Sequence, residues 1–344
     1  MRRPWLLPLT PLYAAGLALR NLRIDHGWEP VRRLRFPVVS IGNLSTGGTG
    51  KTPLTIALAK ALTQRGLRVD VLSRGYGRPN LSPAERPARV DPDGTAAEFG
   101  DEPLLIARET EVPVYVATQR YNAGLLAEAD VASVDQKDRQ PIVHLLDDGF
   151  QHRQLHRDVD ILLLDRRDWQ DSLLPAGNLR ERQPAFTRAT VLVIPANELE
   201  VETYLREIIL IDRNSEAPRW GGPIWRLHRK MDVPPVDGSV AAFCGIARPE
   251  QFFAGLEAAG LHIAARLAFP DHHRYTHADL NRLVTAARKA RAAALITTEK
   301  DRVRLGNLSS GFPESLPLNT ARLRVEIEHE DEAIEWLVDR LKNE

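Results

Sequence analysis

Cysteine is nearly absent: Cys244 is the only one in 344 residues. One thiol cannot build a disulfide framework or a cysteine-rich metal site, and the count agrees with a reducing compartment. Cys244 falls in an apolar run and reads as a small buried hydrophobe. Net charge is missing too, with 46 Lys plus Arg against 46 Asp plus Glu, which removes any chain-wide argument for nucleic acid binding. Long apolar runs are lacking. The stretch Trp5 to Leu19 is fifteen residues, interrupted by Pro8 and Pro11, short of the roughly 20 that a membrane-spanning helix needs. Repeats and low-complexity tracts do not occur. What is present is an ordinary globular composition, 43% hydrophobic and 27% charged, with length for one large core or two moderate ones.

Short apolar, β-branched runs alternate with helical patterns, which predicts a parallel sheet covered by helices. The expected strands are Phe36–Ile41, Arg68–Leu72, Val112–Val116, Pro141–Leu146, Val159–Leu164 and Thr190–Ile194. Leu54, Leu58 and Leu62 recur at helical spacing, with Gly66 where a helix C-cap belongs. The pattern breaks into Pro, Gly and charge over 214–238, a candidate linker. A second α/β pattern follows: strand Ser239–Cys244, helix Pro249–Ala259, strand Leu261–Leu267, helix His277–Ala290, strand Ala293–Thr297 and a last helix Glu330–Leu341. The expected organisation is therefore an N-terminal segment 1–35, a doubly wound α/β domain 36–213, the linker 214–238 and a second, smaller α/β domain 239–344.

The strongest local signal is VSIGNLSTGGTGKTP at Val39–Pro53, between a strand and a helix. Glycines at 47, 48 and 50 let backbone N–H groups close around phosphate oxygens. Lys51 can reach the β- and γ-phosphates of a nucleotide and the Thr52 hydroxyl can ligate Mg²⁺. Ser45 stands where the common G-x-x-x-x-G-K-[ST] pattern has glycine. PIVHLLDDGFQH, from Pro141 to His152, ends an apolar strand in Asp147 and Asp148, where a phosphate-loop enzyme needs acid for Mg²⁺. Capping of the turn at Gly149 is the alternative use of the pair. Asp101 in FGDEP reads by itself as a turn residue, and Asp271-His272-His273 is a poor metal site. An Asp oriented by a His is nevertheless one way to take a proton from an acceptor hydroxyl. Arg74, Arg120 and Arg180 are candidates for neutralising phosphate charge.

Charge is unevenly spread. Residues 1–35 hold Arg2, Arg3, Arg20, Arg23, Arg32, Arg33 and Arg35 against Asp25 and Glu29, a net +5, which leaves −5 for the rest. The outline resembles a secretion signal, but a nucleotide site so close behind it points to the cytosol. An interfacial anchor fits, with apolar side chains in the acyl boundary and arginines on anionic head groups. A helix packed on its own domain is the alternative.

Taken in order, GNLSTGGTGKTP, SRGYG (Ser73–Gly77), GDEP (Gly100–Pro103), DDGFQH (Asp147–His152), Leu179–Glu181 and FPDHHRY (Phe269–Tyr275) resemble the tetraacyldisaccharide 4′-kinase family, the lipid A kinases of Gram-negative bacteria. The resemblance runs from the N-terminus to Thr297–Asp301, and Ser45 in the loop is a feature of that family. It implies transfer of the ATP γ-phosphate to the 4′-hydroxyl of a lipid A disaccharide 1-phosphate with Mg²⁺. The positions Ser45, Thr46, Gly47, Gly48, Thr49, Gly50, Lys51 and Thr52 would hold the nucleotide, and Thr52, Asp147 and Asp148 the metal. Asp101 would activate the hydroxyl, paired with His272, and Lys51 would serve the transferring phosphate. Tyr76, Arg120, His152, Arg180 and Glu181 would lie near nucleotide or acceptor. It further implies two α/β/α domains joined by a two-stranded linker, an acylated disaccharide lipid and an anionic membrane surface as partners, no nucleic acid, no obligate protein partner, and a place on the cytoplasmic face of the inner membrane. A GTPase or ATPase switch is the rival, but TEKD at Thr298–Asp301 and DDGF at Asp147–Phe150 have the wrong spacing for its motifs. A kinase for a soluble metabolite would have no use for the basic, apolar N-terminus.

Overall fold

The computed structural model describes residues 3–48, 50–75, 86–132, 140–198, 200–205 and 220–342. Among them twelve strands form one sheet: β1 (Val38–Asn43), β2 (Arg68–Ser73), β3 (Ala88–Arg89), β4 (Val114–Val116), β5 (Ile142–Asp147), β6 (Val159–Leu163), β7 (Val191–Pro195), β8 (Ile224–Asp232), β9 (Val240–Cys244), β10 (Ile263–Ala268), β11 (Ala294–Thr298) and β12 (Leu318–Ile327). Their order is β10-β9-β11-β12-β8-β7-β6-β1-β5-β2-β4-β3. Pairing is parallel except between β8 and β12 and between β3 and β4. Every residue of β1, β6, β7 and β9 is buried, as expected of strands covered on both faces.

Strand order reverses at β1, flanked by β5 and β6, and again at β9, flanked by β10 and β11. Crevices open beyond the carboxyl ends of strands at such points, and the two crevices here share one cleft. Helix α1 (Thr10–Asp25) precedes the sheet, and α2 (Lys51–Gln64) lays Leu54, Leu58 and Leu62 against it. The last helix, Glu330–Lys342, adds Ala333, Ile334 and Leu337 to that same cluster.

Most observed boundaries differ from the sequence expectation by one or two residues. Several elements were not picked out from local pattern, among them β12, the helix Arg120–Ala132 and two that bear on the site. The segment read as linker contains β8, whose Trp225 and Leu227 are buried on one face while His228, Arg229 and Lys230 are exposed. Its charge masks the alternation. FGDEP was expected to be a loop, yet Asp101 opens a helix, with Pro103 tolerated in its first turn.

A buried ion pair ties the N-terminal segment to the core. On β5, His144 Nδ1 lies 2.6 Å from Asp70 Oδ1 and its Nε2 is 3.6 Å from Glu128 Oε1. Glu128 also accepts the backbone N–H groups of Arg35 and Phe36. Burial lowers the imidazole pKa, but the two carboxylates outweigh it and push it up to about 9. Because that lies above the unfolded value of about 6.5, the stabilisation is whole below pH ~6.5 and is lost as pH rises through 9. On linkage it amounts to about 3 kcal/mol. Thermal melting of wild type and His144→Gln should therefore differ most at pH 6 and converge by about pH 10. A gap that stays constant with pH would show that His144 is neutral in the fold.

Candidate active site

The phosphate loop is held from below. A Cβ on Gly42 would stand 2.4 Å from Phe150 Cβ, so only glycine lets β1 lie this close to the DDGF turn. Thr46 N–H donates to Asn178 O at 2.7 Å and Arg180 N–H to Leu44 O at 2.7 Å, clamping the loop to 178–180. Gly50, with φ 94°, caps α2 in the left-handed region that disfavours side chains. The first N–H groups of α2 thus open on the cleft, where the helix dipole favours an anion. Lys51 Nζ donates to Asn43 Oδ1 at 2.9 Å and sits 3.4 Å from Asp148 Oδ1.

Asp147 ends β5, and Asp148 follows with φ 51°. Thr55 Oγ1 donates to Asp147 Oδ1 at 3.2 Å, whereas Asp147 Oδ2 is buried with no hydrogen-bond partner among the described residues. Burial raises the Asp147 pKa, helped by the nearby Glu102 and Asp148 carboxylates. Asp148 is held the opposite way. Despite burial, Lys51 and Arg180 keep it well below the usual carboxylate range, and Arg180 Nη1 reaches both its oxygens at 2.9 Å. An orphaned carboxylate oxygen and the buried Thr52, both lining the cleft, offer hard donors that suit a divalent cation. No group of three or more His, Cys, Asp or Glu placed to hold a metal occurs among the described residues. Mg²⁺ does not require one, since it keeps waters and takes phosphate oxygens.

Across the cleft, residues from both ends of the chain meet. Asp101 begins helix α4 (Asp101–Thr110), counting the short turn Ala96–Phe99 as α3. His272 Nδ1 is 3.1 Å from Asp101 Oδ2, although the two are 171 residues apart. Burial works against ionisation of Asp101, but His272, Arg304 and Lys300 overcome it and hold the carboxylate well below its usual range. The hydrogen bond to Asp101 raises the His272 pKa. Glu102, Asp271, His272 and Lys300 line the cleft, with Asp101 buried behind them.

The cleft holds about 1340 Å³ and takes Tyr13, Leu17 and Arg20 from α1 into its wall. Arg74, Arg120, His152 and Arg180 gather there. Burial lowers the Arg120 guanidinium to about 10, Arg74 adding to the effect. Burial and then the cations Arg120, Arg157, Arg20 and Arg74 press His152 down to about 3. Such a concentration of positive charge is a site for an anion. Glu181 lies elsewhere, buried and paired with Arg188 at 2.8 Å beside a shallow groove under α1. Tyr76 and Thr49 fall outside the described residues. Three arginines were not singled out in the sequence. Arg229, on β8, would meet a side chain on Gly50 at 3.6 Å, and Arg248 lies over Gly47 while pairing with Asp165 at 2.9 Å. Arg304 follows TTEKD by one turn, the one hint the sequence holds of its place.

The family profile described as tetraacyldisaccharide-1-P 4′-kinase matches residues 2–342. The "Tetraacyldisaccharide 4′-kinase" of Koribacter versatilis is 40% identical over 341 residues, covering 96% of this chain and 97% of the relative. That of Syntrophus aciditrophicus is 38% identical over 342 residues, covering 92% and 86%. Among solved structures, the "apo" form of LpxK from Aquifex aeolicus in complex with ATP superposes with a TM-score of 0.72 at 32% identity, covering 98% of each chain.

Proposed function

The chain belongs to the tetraacyldisaccharide-1-P 4′-kinase family, and on that premise we propose how its own residues carry the γ-phosphate of ATP to the 4′-hydroxyl of an acylated disaccharide 1-phosphate, giving lipid IVA. It is a phosphotransferase with an alcohol acceptor. One observation supports the assignment of roles above all: the phosphate loop, the Asp147–Asp148 pair and His272, with Asp101 paired behind it, meet at a single cleft that α1 helps to wall.

In this reading the loop from Ser45 to Thr52 wraps the phosphates, Lys51 follows the charge of the transferring group, and Thr52, Asp147 and Asp148 would hold Mg²⁺, which would neutralise phosphate charge. The 4′-oxygen forms its bond to the γ-phosphorus as the bond from that phosphorus to the β,γ-bridging oxygen breaks. The electron pair leaves with ADP, and the hydroxyl proton passes late to Asp101. Asp101 is the group on this wall fit to accept it, being ionised while His272 is driven toward its protonated form. Arg74, Arg120, Arg180 and His152 meet the anionic parts of nucleotide and acceptor.

The acceptor's acyl chains require a membrane surface. No helix among the described residues is long and apolar enough to cross one. The inner face of α1 is occupied, with Tyr13 Oη donating to Arg180 O at 2.9 Å and Ile24 buried. Leu12 on α1, Trp5 in the short helical turn before it and Trp28 in the turn after it are 71%, 75% and 68% exposed. Basic flanks and an exposed apolar face suit shallow insertion among anionic lipids on the cytoplasmic side, where ATP is found.

The test is transfer from γ-labelled ATP to purified acceptor, presented in detergent micelles and in phosphatidylglycerol-containing vesicles. Labelled lipid is expected from both, while ATP hydrolysis without labelled lipid would point to another acceptor. Trp5→Glu, Leu12→Glu and Trp28→Glu together should spare the micelle rate and lower the vesicle rate roughly tenfold or more. Equal rates on vesicles would reject the membrane contact.

A further inference from the structure

We propose that Arg304 is a positioning residue for phosphoryl transfer, aligning Asp101 from the opposite half of the molecule so that one oxygen of its carboxylate is left to meet the acceptor hydroxyl. The proposal rests on the reading of Asp101 as the proton acceptor. Arg304 lies on the helix Glu299–Leu305, which follows β11, and Asp101 lies 203 residues earlier on α4.

Three donors converge on one oxygen. Arg304 Nε donates to Asp101 Oδ2 at 2.7 Å, Arg304 Nη2 donates to the same atom, and His272 Nδ1 is 3.1 Å from it. Oδ1 carries a single bond, from the Glu102 N–H at 3.0 Å. A carboxylate has about four acceptor positions, so Oδ2 is full and Oδ1 keeps room for a proton. The guanidinium is fixed in turn. Its Nη1 donates to Gly245 O and to Asp301 Oδ1 at 3.0 Å. Asp301 also accepts the Gly245 N–H at 3.0 Å, the Tyr275 hydroxyl at 2.9 Å and the Thr298 hydroxyl at 2.5 Å. Gly245 O further accepts the His272 N–H at 3.1 Å, so Arg304 braces the loop that carries His272 as well.

A structural ion pair alone explains this poorly. Arg304 and Asp101 side chains are 6% and 5% exposed, and burying such a pair contributes little net stability. Lys300–Glu102 and Arg324–Glu109 already join α4 to that half. A planar fork that saturates one oxygen is what alignment requires, and an ammonium group cannot reproduce it. The charged groups facing Asp101 are His272, Arg304 and Lys300, with Glu102 beside it and Asp271 behind His272.

The experiment compares full-length wild type, Arg304→Gln, Arg304→Lys and Asp101→Asn at saturating Mg²⁺-ATP, measuring kcat, both KM values, the pH profile of kcat and thermal melting. Arg304→Gln should lower kcat roughly 10²-fold and leave the KM for ATP within about twofold. Its acid limb should move up by about one pH unit or more, because a cation beside the carboxylate is gone. Arg304→Lys should return the limb toward wild type but recover only part of kcat. An unchanged kcat and limb in folded Arg304→Gln overturns the proposal, as does a fall in kcat with an unmoved limb, which would mark a bracing role only. If Arg304→Gln fails to fold, Arg304→Lys with full wild-type kcat overturns it. Activity retained by Asp101→Asn would instead overturn the reading of Asp101 itself.

Discussion

Lys51→Ala is expected to lower kcat by roughly 10³-fold or more while the protein melts close to wild type. Lys51 is placed by Asn43 Oδ1 at 2.9 Å and Asp148 at 3.4 Å, at the mouth of α2, where its charge can follow the γ-phosphate from donor to acceptor. With the Lys51 side chain only 11% exposed, one cation aimed at developing charge outweighs its ground-state contacts. The loss should therefore fall on kcat more than on the KM for ATP, since the loop amides and the helix terminus remain. Removing the ammonium also leaves Asp148 with Arg180 as its chief counterion. Lys51→Arg should not rescue, because a wider, planar group cannot occupy a point-charge site. Single-turnover transfer with labelled ATP checks this, and activity within tenfold of wild type would remove Lys51 from the transfer step.

Asp101→Asn is expected to cost roughly 10²- to 10⁴-fold in kcat, the usual range for a general base. The amide keeps the carboxylate's shape and can still accept from Arg304, and Arg304 retains Asp301 at 3.0 Å, so the fold should survive. Wild type should show a distinct pH dependence. The folded-state pKa of Asp101 is depressed by His272, Arg304 and Lys300 against the pull of burial. The base therefore stays ionised as pH falls through the ordinary carboxylate range, and its loss of activity should begin below about pH 4. A wild-type acid limb centred near pH 6 and unaltered by Asp101→Asn would assign the limb to another group. Full activity in the variant would leave the hydroxyl without a protein base.

Much of the site could be read from local pattern because local chemistry builds it. A strand, a glycine loop and Lys51-Thr52 are consecutive in the chain, and Asp147 and Asp148 close an apolar run. What escaped is long-range. Asp101 taken alone looks like a turn residue, and only the tertiary fold sets it 3.1 Å from His272. Arg229 and Arg248 are arginines among many, with nothing in their neighbours to mark them as facing the cleft, and Arg304 has only the nearby TTEKD to hint at its place. β8 escaped for a different reason. Trp225 and Leu227 pack at its start, but the His228, Arg229 and Lys230 that follow are polar and exposed, with Arg229 and Met231 lining the cleft, so its composition imitates a linker. Glu181 shows the opposite lesson: next to the cleft-lining Arg180, it turns away to pair with Arg188.

The antiparallel ladder of β8 and β12, paired from Arg322↔Asp232 to Ile327↔Leu227, runs through the middle of the sheet with parallel neighbours on either side. Opening or closing of the cleft has to flex this ladder, since the hydrogen-bonded sheet is continuous from β7 through β8 and β12 to β11. A flexed sheet acts as a leaf spring. It limits the amplitude, returns toward one rest position and carries motion of one side to the other through the strand that bears Arg229. It also ties the fates of the two sides together, because melting either one strips a strand partner from the other and thermal unfolding should pass as one event.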